Sequence, residues 1–314
     1  MKKFTTPLLA VALMVSGCVS TSQPISPESL GHYRDTLVDL NVQSIQAITF
    51  EYEWNYRNFK ARIKTRDQTD PNPLTLRFCG GRYTWTWGDC DADQSEIPAF
   101  NVIAQSRADL AKLNQANIDY ANFLIQFSTA NEGSKASLEA AANKIGVSTK
   151  SISSKFGVEL NDAEVGAFAT IGVGVVQQLL AKKQREGMAA VMADFHPGIQ
   201  YFANLGSQAM AISAVGIKDE YNKENKKTAR AIATEADGSK RLALVEKLLE
   251  LNEQTSAQLD SLAVLSAAYE SLPNAHEELM SALQSGQQAS LAELVGHIEM
   301  ISDIARTFKN SDSE

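Results

Sequence analysis

Cysteine and histidine are the side chains of this chain with the greatest capacity for chemistry. A cysteine thiol can be acylated, can form a disulfide, or can serve as a metal ligand or nucleophile, and the three cysteines are Cys18, Cys79 and Cys90. None of the four histidines lies in a metal-ligand motif such as H-E-x-x-H, and no E-x-x-H pair indicates a di-iron site. No G-x-S-x-G, Walker or S-x-x-K motif occurs either. The sequence therefore predicts no enzyme, no catalytic residue, no metal site and no cofactor.

Cys18 follows a segment that is typical of an export signal. Two lysines give the N-terminus a positive charge, and residues 7–15 form a short apolar run. This run is too short to span a bilayer, which takes about 20 residues. Two small residues then precede the cysteine. The pattern predicts a signal peptide over residues 1–17.

The residues around the cleavage point, Val15-Ser16-Gly17-Cys18, resemble the lipobox of bacterial lipoproteins. The resemblance covers these four residues alone and indicates no family for the mature domain. It implies that Cys18 becomes the first residue of the mature chain and carries fatty acids such as palmitate. Several acyl chains on one residue anchor a protein stably, at about 0.8 kcal/mol per buried CH₂. Because no aspartate follows Cys18, the resemblance further implies the outer membrane of a Gram-negative bacterium.

Composition excludes one class of partner. The chain carries 29 basic and 37 acidic residues and a formal net charge of −8. Removal of two lysines with the signal peptide leaves 27 basic residues against the same 37 acidic ones, or −10. Nucleic-acid-binding proteins need a basic face, so we expect no nucleic acid. The expected partners are the membrane, through the lipid anchor, and an envelope protein or glycan.

Apolar residues recur at helical spacing through most of the chain. Residues 18–27 are polar and should form a flexible tether that carries the lipidated cysteine. From residue 28 to 314 the spacing predicts an all-α protein, an elongated bundle of long antiparallel helices. A Ser/Gly/Lys-rich connection near residues 146–161 divides this bundle into two helical halves.

Residues 67–98 interrupt the helical pattern with an alternating, aromatic stretch. A two-residue turn at Gly80-Gly81 would place Phe78 opposite Tyr83 and Leu76 opposite Trp85. The same register would hold Cys79 and Cys90 about 26 Å apart along the strand. A disulfide requires Cα atoms within about 7 Å, so the hairpin and the disulfide exclude each other.

We favour the Cys79–Cys90 disulfide, because exported chains oxidise paired thiols by default. The segment is then a disulfide-stapled loop, with or without short paired strands. Tyr83, Trp85 and Trp87 form its most distinctive surface. They could bind a sugar or a protein partner, or they could pack on the bundle and close its end. The sequence leaves both interpretations open.

Two uncharged runs, residues 165–181 and 195–217, allow two interpretations. They could form a concealed hairpin that inserts into a membrane, as in helical pore-forming toxins. They could also be helices buried in a large bundle, which we favour because the first run is short for a membrane span. We therefore expect a lipid-anchored envelope protein with a non-enzymatic binding or scaffold role. The alternative is a membrane-active protein that releases the region 165–217.

The disulfide prediction can be checked by intact mass after alkylation. Native, non-reduced protein should take up no label at Cys79 or Cys90, and reduced protein should take up two. A disulfide that closes a loop of this size contributes on the order of 3 kcal/mol to folding stability, so the reduced form should also unfold at lower denaturant. Two labelled cysteines in native protein would contradict the disulfide.

Overall fold

A computed structural model describes residues 27–66, 76–78, 85–87, 99–129, 136–141, 143, 184–286 and 289–311. Within these ranges the protein is all-α apart from two short strands, as the sequence predicts. A short helical stretch covers residues 136–141. The long helices are α1 (Pro27–Arg66), α2 (Ala99–Ser128), α3 (Gln184–Thr234), α4 (Gly238–Glu270), α5 (Leu272–Ser285) and α6 (Ala292–Ser311). The connection at 146–161 and the run at 165–181 lie outside the described residues.

Local sequence signals explain where several helices begin and end. Pro27 occupies the first position of α1, where its missing N–H costs nothing, and Glu28 faces the positive helix end. The side chain of Asp237 caps α4 by accepting hydrogen bonds from the backbone N–H groups of Ser239 and Lys240. The Ser239 hydroxyl also donates to this carboxylate, and its hydrogen bond together with the two backbone bonds holds the pKa of the Asp237 carboxyl below its usual range. α5 ends at Gly286, whose φ of 72° is the left-handed conformation that favours glycine.

The two strands, β1 (Leu76–Phe78) and β2 (Trp85–Trp87), pair antiparallel. Leu76 lies opposite Trp87 and Phe78 lies opposite Trp85. The two-residue turn at Gly80-Gly81 is therefore wrong, because its register differs by two residues from the one formed. Alternation has a period of two, so a shift of two residues preserves the pattern from which the turn was predicted. Tyr83 and the two cysteines of the predicted disulfide lie outside the described residues.

Helices α1 and α2 run antiparallel to each other, and so do helices α3 and α4. Along α1 and α2, Asn114 Nδ2 donates to Asn41 Oδ1 at 3.1 Å and Arg107 Nη1 donates to Thr49 Oγ1 at 3.2 Å. Residue numbers thus fall along α2 as they rise along α1. Contacts between α3 and α4 follow the same rule: Ser207 pairs with Ser266, and Tyr221 pairs with Asn252. Only three residues separate α3 from α4, which makes them a helical hairpin.

A carboxylate and an amide of α1 join the two helix pairs. Glu51 accepts a hydrogen bond from the Ser213 hydroxyl of α3. Seven residues farther along both helices, Asn58 Nδ2 donates to Glu220 Oε2 at 2.8 Å. The equal steps show that α1 and α3 run in the same direction. The core between the helices is apolar, and its largest fully buried side chains include Tyr33, Tyr120, Phe123, Phe127, Phe195, Phe202 and Tyr269.

The uncharged run at 195–217 is part of α3 and packs in this core. Phe195, Ile199, Phe202, Met210 and Ile217 are buried in it. Among the helices that the structure describes, none is long and apolar enough to cross a membrane.

Two glycines of α3 permit close contacts with neighbouring helices. The ring of Tyr269 lies on Gly206, and the carboxylate of Glu51 lies on Gly216, so that a Cβ at either glycine would overlap these groups. Tyr269 cannot simply move away, because its buried hydroxyl is held at 2.9 Å from Asn114 Oδ1 and 3.0 Å from Ser44 Oγ. Gly206 therefore sets how closely α4 approaches α3.

Gly206→Ala should lower the free energy of unfolding by about 1–3 kcal/mol, because a methyl group has no room beside the Tyr269 ring. Gly296→Ala is the matched control, since nothing lies within 4 Å of a Cβ built at that helical position. The control should stabilise the protein by about 0.5–1 kcal/mol through helix propensity. Urea unfolding of both variants measures the difference. Equal effects of the two substitutions would contradict the close contact.

Candidate functional site

The residues that the sequence singles out are not brought together in the described structure. Cys18, Cys79, Cys90 and Tyr83 lie outside the described residues, and Trp85 and Trp87 begin and end strand β2. The structure instead assembles a polar cluster in the core that no local motif predicts. Its members are contributed by α2, α3 and α5.

The centre of this cluster is a hydrogen-bonded row of three rings. The Tyr120 hydroxyl of α2 lies 2.7 Å from His276 Nε2 of α5. His276 Nδ1 lies 3.1 Å from His196 Nδ1 of α3. At the outer end, His196 Nε2 lies 3.3 Å from Glu277 Oε1 and 3.0 Å from the Gln200 amide. We call the row Tyr120–His276–His196 the relay.

Packing holds the rings of the relay in place. Tyr120 stacks on Phe195, with ring centroids 3.8 Å apart and an interplanar angle of 15°. His196 and His276 stack at 5.4 Å and 23°. Tyr120 and His276 are fully buried, whereas His196 is partly exposed. The relay therefore leads from the core to the surface beside Glu277.

The buried donors and acceptors of the relay must be paired with one another, and this requirement fixes the direction of each hydrogen bond. His276 Nε2 is the hydrogen-bond partner of the Tyr120 hydroxyl, so Tyr120 must donate to it or leave a buried O–H unsatisfied. His276 then carries its proton on Nδ1 and donates to His196 Nδ1. His196 carries its proton on Nε2 and donates outward to the Glu277 carboxylate. In this arrangement the Gln200 amide turns its oxygen toward His196, a 180° exchange of its two similar ends.

Burial keeps His276 uncharged near neutral pH. Burial, and to a smaller extent the charge of the neighbouring His196, lower the pKa of His276 to about 3. Burial also raises the pKa of Tyr120, and the neighbouring Tyr33 phenol adds to this effect. Tyr33 is itself fully buried, and its hydroxyl has no hydrogen-bond partner among the described residues. Protonation of both imidazoles would place two cations in contact next to the apolar core.

The geometry limits the chemistry of the relay. Its hydrogen bonds are continuous from the exposed Glu277 carboxylate through the two histidines to the buried Tyr120 hydroxyl. Substrates could reach Tyr120 or His276 only after the helices separate, since both are fully buried. Within the described residues, no group of three or more histidine, cysteine or acidic side chains could hold a metal ion.

The buried carboxylate of Glu51 lies at the α1–α3 contact. Burial raises the pKa of Glu51, the Ser213 hydroxyl bond lowers it, and the charge of Glu220 raises it. Gly216 leaves the space that the Glu51 carboxylate fills. This group is thus a packing contact between helices rather than an open site.

Sequence patterns missed the relay because its histidines are 80 residues apart in the chain. One local signal was present: His276 lies four residues after Leu272 and three before Leu279, on the apolar stripe of α5. A polar residue on such a stripe is buried and needs a partner, but the stripe does not name that partner.

Comparisons with known proteins found no match: no protein-family model, no curated protein and no solved structure resembles this chain. The function of the relay and of the surfaces around it must therefore be inferred from their own geometry.

The buried histidine predicts a specific dependence of stability on pH. The pKa of His276 is about 3 in the folded protein and about 6.5 in an unfolded chain. Because the folded value is the lower one, the stabilisation is complete above about pH 6.5 and is lost as the pH falls toward 3. The free energy of unfolding should fall by up to about 1.4 kcal/mol per pH unit in this range.

Urea unfolding in a series of buffers between pH 7.5 and 4.5 measures how the free energy of unfolding depends on pH. His276→Gln should remove this contribution to the slope while lowering stability at every pH. His32→Gln replaces an exposed histidine of α1 and should keep the wild-type profile. An identical pH profile for wild type and His276→Gln would contradict the neutral, buried state of His276.

Proposed function

We propose that this protein is a lipid-anchored component of the bacterial cell envelope with a non-enzymatic binding or scaffold role. Its elongated, antiparallel helical bundle holds binding surfaces away from the membrane. Acylated Cys18 anchors it to the outer membrane, and the residues between Cys18 and Pro27 give a reach of up to about 30 Å when extended. An envelope protein or glycan is the expected partner.

The observation that carries this proposal is the outer part of the α3–α4 hairpin. We call residues 218–254 the distal hairpin. The first buried side chain of α4 is Thr255, so the α4 half of the distal hairpin has none. Leu242 and Leu249 of α4 are 59% and 57% exposed. Together with the lack of buried side chains in the α4 half of the distal hairpin, these two exposed leucines, one heptad apart, support a protein-binding surface there.

The interior of the protein supports a structural role for the remaining polar groups. The relay joins α2, α3 and α5, and Tyr269 joins α4 to Ser44 of α1 and Asn114 of α2. These polar groups form hydrogen bonds between helices. The burial of Phe195, Ile199 and Phe202 within α3 supports a stable bundle over release of the region 165–217 into a membrane.

Cys18→Ser should prevent lipidation and move the protein from the membrane fraction to the soluble or uncleaved precursor fraction. The physical reason is the loss of the acyl chains, whose burial supplies the membrane affinity. Labelled fatty acid and cell fractionation measure the two effects. Ser20→Ala is the matched control, because it alters a hydroxyl next to the lipobox and leaves the cysteine intact. Labelled fatty acid in Cys18→Ser would show that the anchor has been misassigned.

A further inference from the structure

α5 is the shortest of the six long helices, with 14 residues between α4 and α6. It packs mainly on α3, whereas α6 packs mainly on α4. The buried side chains of α5 are Leu272, Ala275, His276, Leu279, Ala282 and Leu283. Because α5 and α6 lie against different helices, α5 can leave α3 without displacing α6 from α4.

Both ends of α5 interrupt the helical backbone. Pro273 lies in its first turn and has no N–H to donate to the end of α4, and Gly286 ends the helix in the left-handed conformation. Leu291, just before α6, has a φ of 51°, which a leucine adopts only when its surroundings hold it there. Its N–H donates to Glu278 Oε2 of α5 at 2.7 Å. Detachment of α5 would therefore let Leu291 relax to an ordinary conformation.

One turn of α5 carries its polar attachment to the core. His276 bonds to Tyr120 of α2 and to His196 of α3, and Glu277 bonds to His196. His276 is fully buried, whereas the Glu277 side chain is 62% exposed. The attachment of α5 to α2 and α3 therefore runs through two histidines, His196 and His276, which we call the histidine pair.

Each unprotonated nitrogen of the histidine pair already accepts a hydrogen bond. In the neutral relay, His276 carries its proton on Nδ1 and His196 carries its proton on Nε2. The other two nitrogens are His196 Nδ1, 3.1 Å from His276 Nδ1, and His276 Nε2, 2.7 Å from the Tyr120 hydroxyl. A proton added to the first would put two N–H groups face to face, and one added to the second would force the buried Tyr120 O–H away from its acceptor. Charging the pair thus breaks one of the bonds that hold α5.

The acidic groups on the surrounding helices have other partners. Glu277 faces His196 Nε2, which already carries a proton. The other carboxylates and their donors are Asp119 of α2 with Gln115, Glu270 of α4 with Ser207, Glu278 of α5 with the Leu291 N–H, and Glu293 of α6 with Asn274. Tyr33 of α1 is a neutral phenol, and Arg185 of α3 is a cation that donates to a carbonyl of α5. Among the residues that the structure describes, no carboxylate is bonded to either unprotonated nitrogen, so a positive charge there lacks compensation.

We propose that the histidine pair is an acid-operated latch: when it takes up a proton, α5 detaches from α2 and α3 while α1 to α4 stay packed together. In the detached state both imidazoles reach water, and each can carry a proton. The bonds of Tyr269 to Ser44 and Asn114, which join α4 to α1 and α2, contain no group that gains charge in acid. Detachment uncovers Tyr120 and the side of α3 around His196.

The expected size of the effect follows from His276. Its pKa is about 3 when α5 is attached and about 6.5 when the imidazole reaches water. Because the attached value is the lower one, attachment is strongest above about pH 6.5 and weakens as the pH falls. One added proton with these values raises the detached population about 25-fold between pH 7 and pH 5. This detachment is distinct from unfolding of the whole protein, and it does not depend on the lipid anchor.

Hydrogen–deuterium exchange of the full chain in a mild detergent tests the latch. Labelling at pH 7, 6 and 5, with times lengthened to offset the slower intrinsic exchange in acid, gives the protection of each helix. Peptides of α5 should lose about 25-fold in protection between pH 7 and pH 5. At pH 5 they should be at least about tenfold less protected than peptides of α2. Their protection should also respond weakly to urea, since detachment of one short helix exposes little surface.

Substitution of His276 tests whether this histidine senses the acid. His276→Gln and His276→Asn place an amide at two side-chain lengths, and neither gains charge in acid. Each variant that circular dichroism shows to be folded should change its α5 protection by less than about threefold between pH 7 and pH 5. His297→Gln is the matched control, because it removes a partly buried histidine of α6 and should keep the wild-type fall in protection.

Two wild-type results would each overturn the proposal without any variant. Equal protection of α5 and α2 at every pH would show that α5 opens only when the whole protein unfolds. Constant protection of α5 between pH 7 and pH 5 would show that acid does not operate the latch. A fall in protection that persists in a folded His276 variant would assign the acid sensitivity to a different group, and would overturn the role of the histidine pair.

Discussion

The contacts of one side chain, Tyr269, connect the four longest helices. Its ring lies against the bare backbone of Gly206 in α3. Its hydroxyl reaches Ser44 of α1 and Asn114 of α2, and burial raises its pKa to about 12, so it remains a hydrogen-bond donor at any physiological pH. Gly206 permits the close approach of α4 to α3, and the hydrogen bonds of the Tyr269 hydroxyl then fix the position of α4 along its axis. Loss of either partner would leave a large ring or a buried polar group without a place in the core.

The relay joins α5 to the same body by a different means. Apolar packing alone tolerates small rotations of a helix, because many arrangements of leucine and alanine have similar energies. Hydrogen bonds between two imidazoles and a phenol are directional, so they admit one rotation of α5 against α2 and α3. The sensitivity to acid follows from this specificity, since the arrangement requires a neutral histidine in a place that water does not reach.

The sequence predicted what depends on local residues. Helical spacing identified the all-α class, and the predicted start of the helical bundle at residue 28 lies one residue from the start of α1 at Pro27. Spacing could not predict which faces meet. His196 and His276 are far apart in the chain, and the contact between Gly206 and Tyr269 depends on the stagger of two helices. The register of β1 and β2 was predicted wrongly for a related reason, because the alternation of side chains is unchanged by a shift of two residues. The anchor at Cys18 and the disulfide remain predictions.

The continuity of α3 has a mechanical consequence. This helix runs from Gln184 to Thr234, with Pro197 next to the relay histidine His196, and continues into the distal hairpin. Lys226 lies about 45 Å along the axis from His196 at 1.5 Å per residue. A helix of this kind behaves as a lever, in which a tilt of about 5° at the histidine pair displaces the lysine by about 4 Å. That displacement is comparable with the length of an ion-pair contact, so the packing of α3 around the relay and the position of the distal hairpin are linked through one helix.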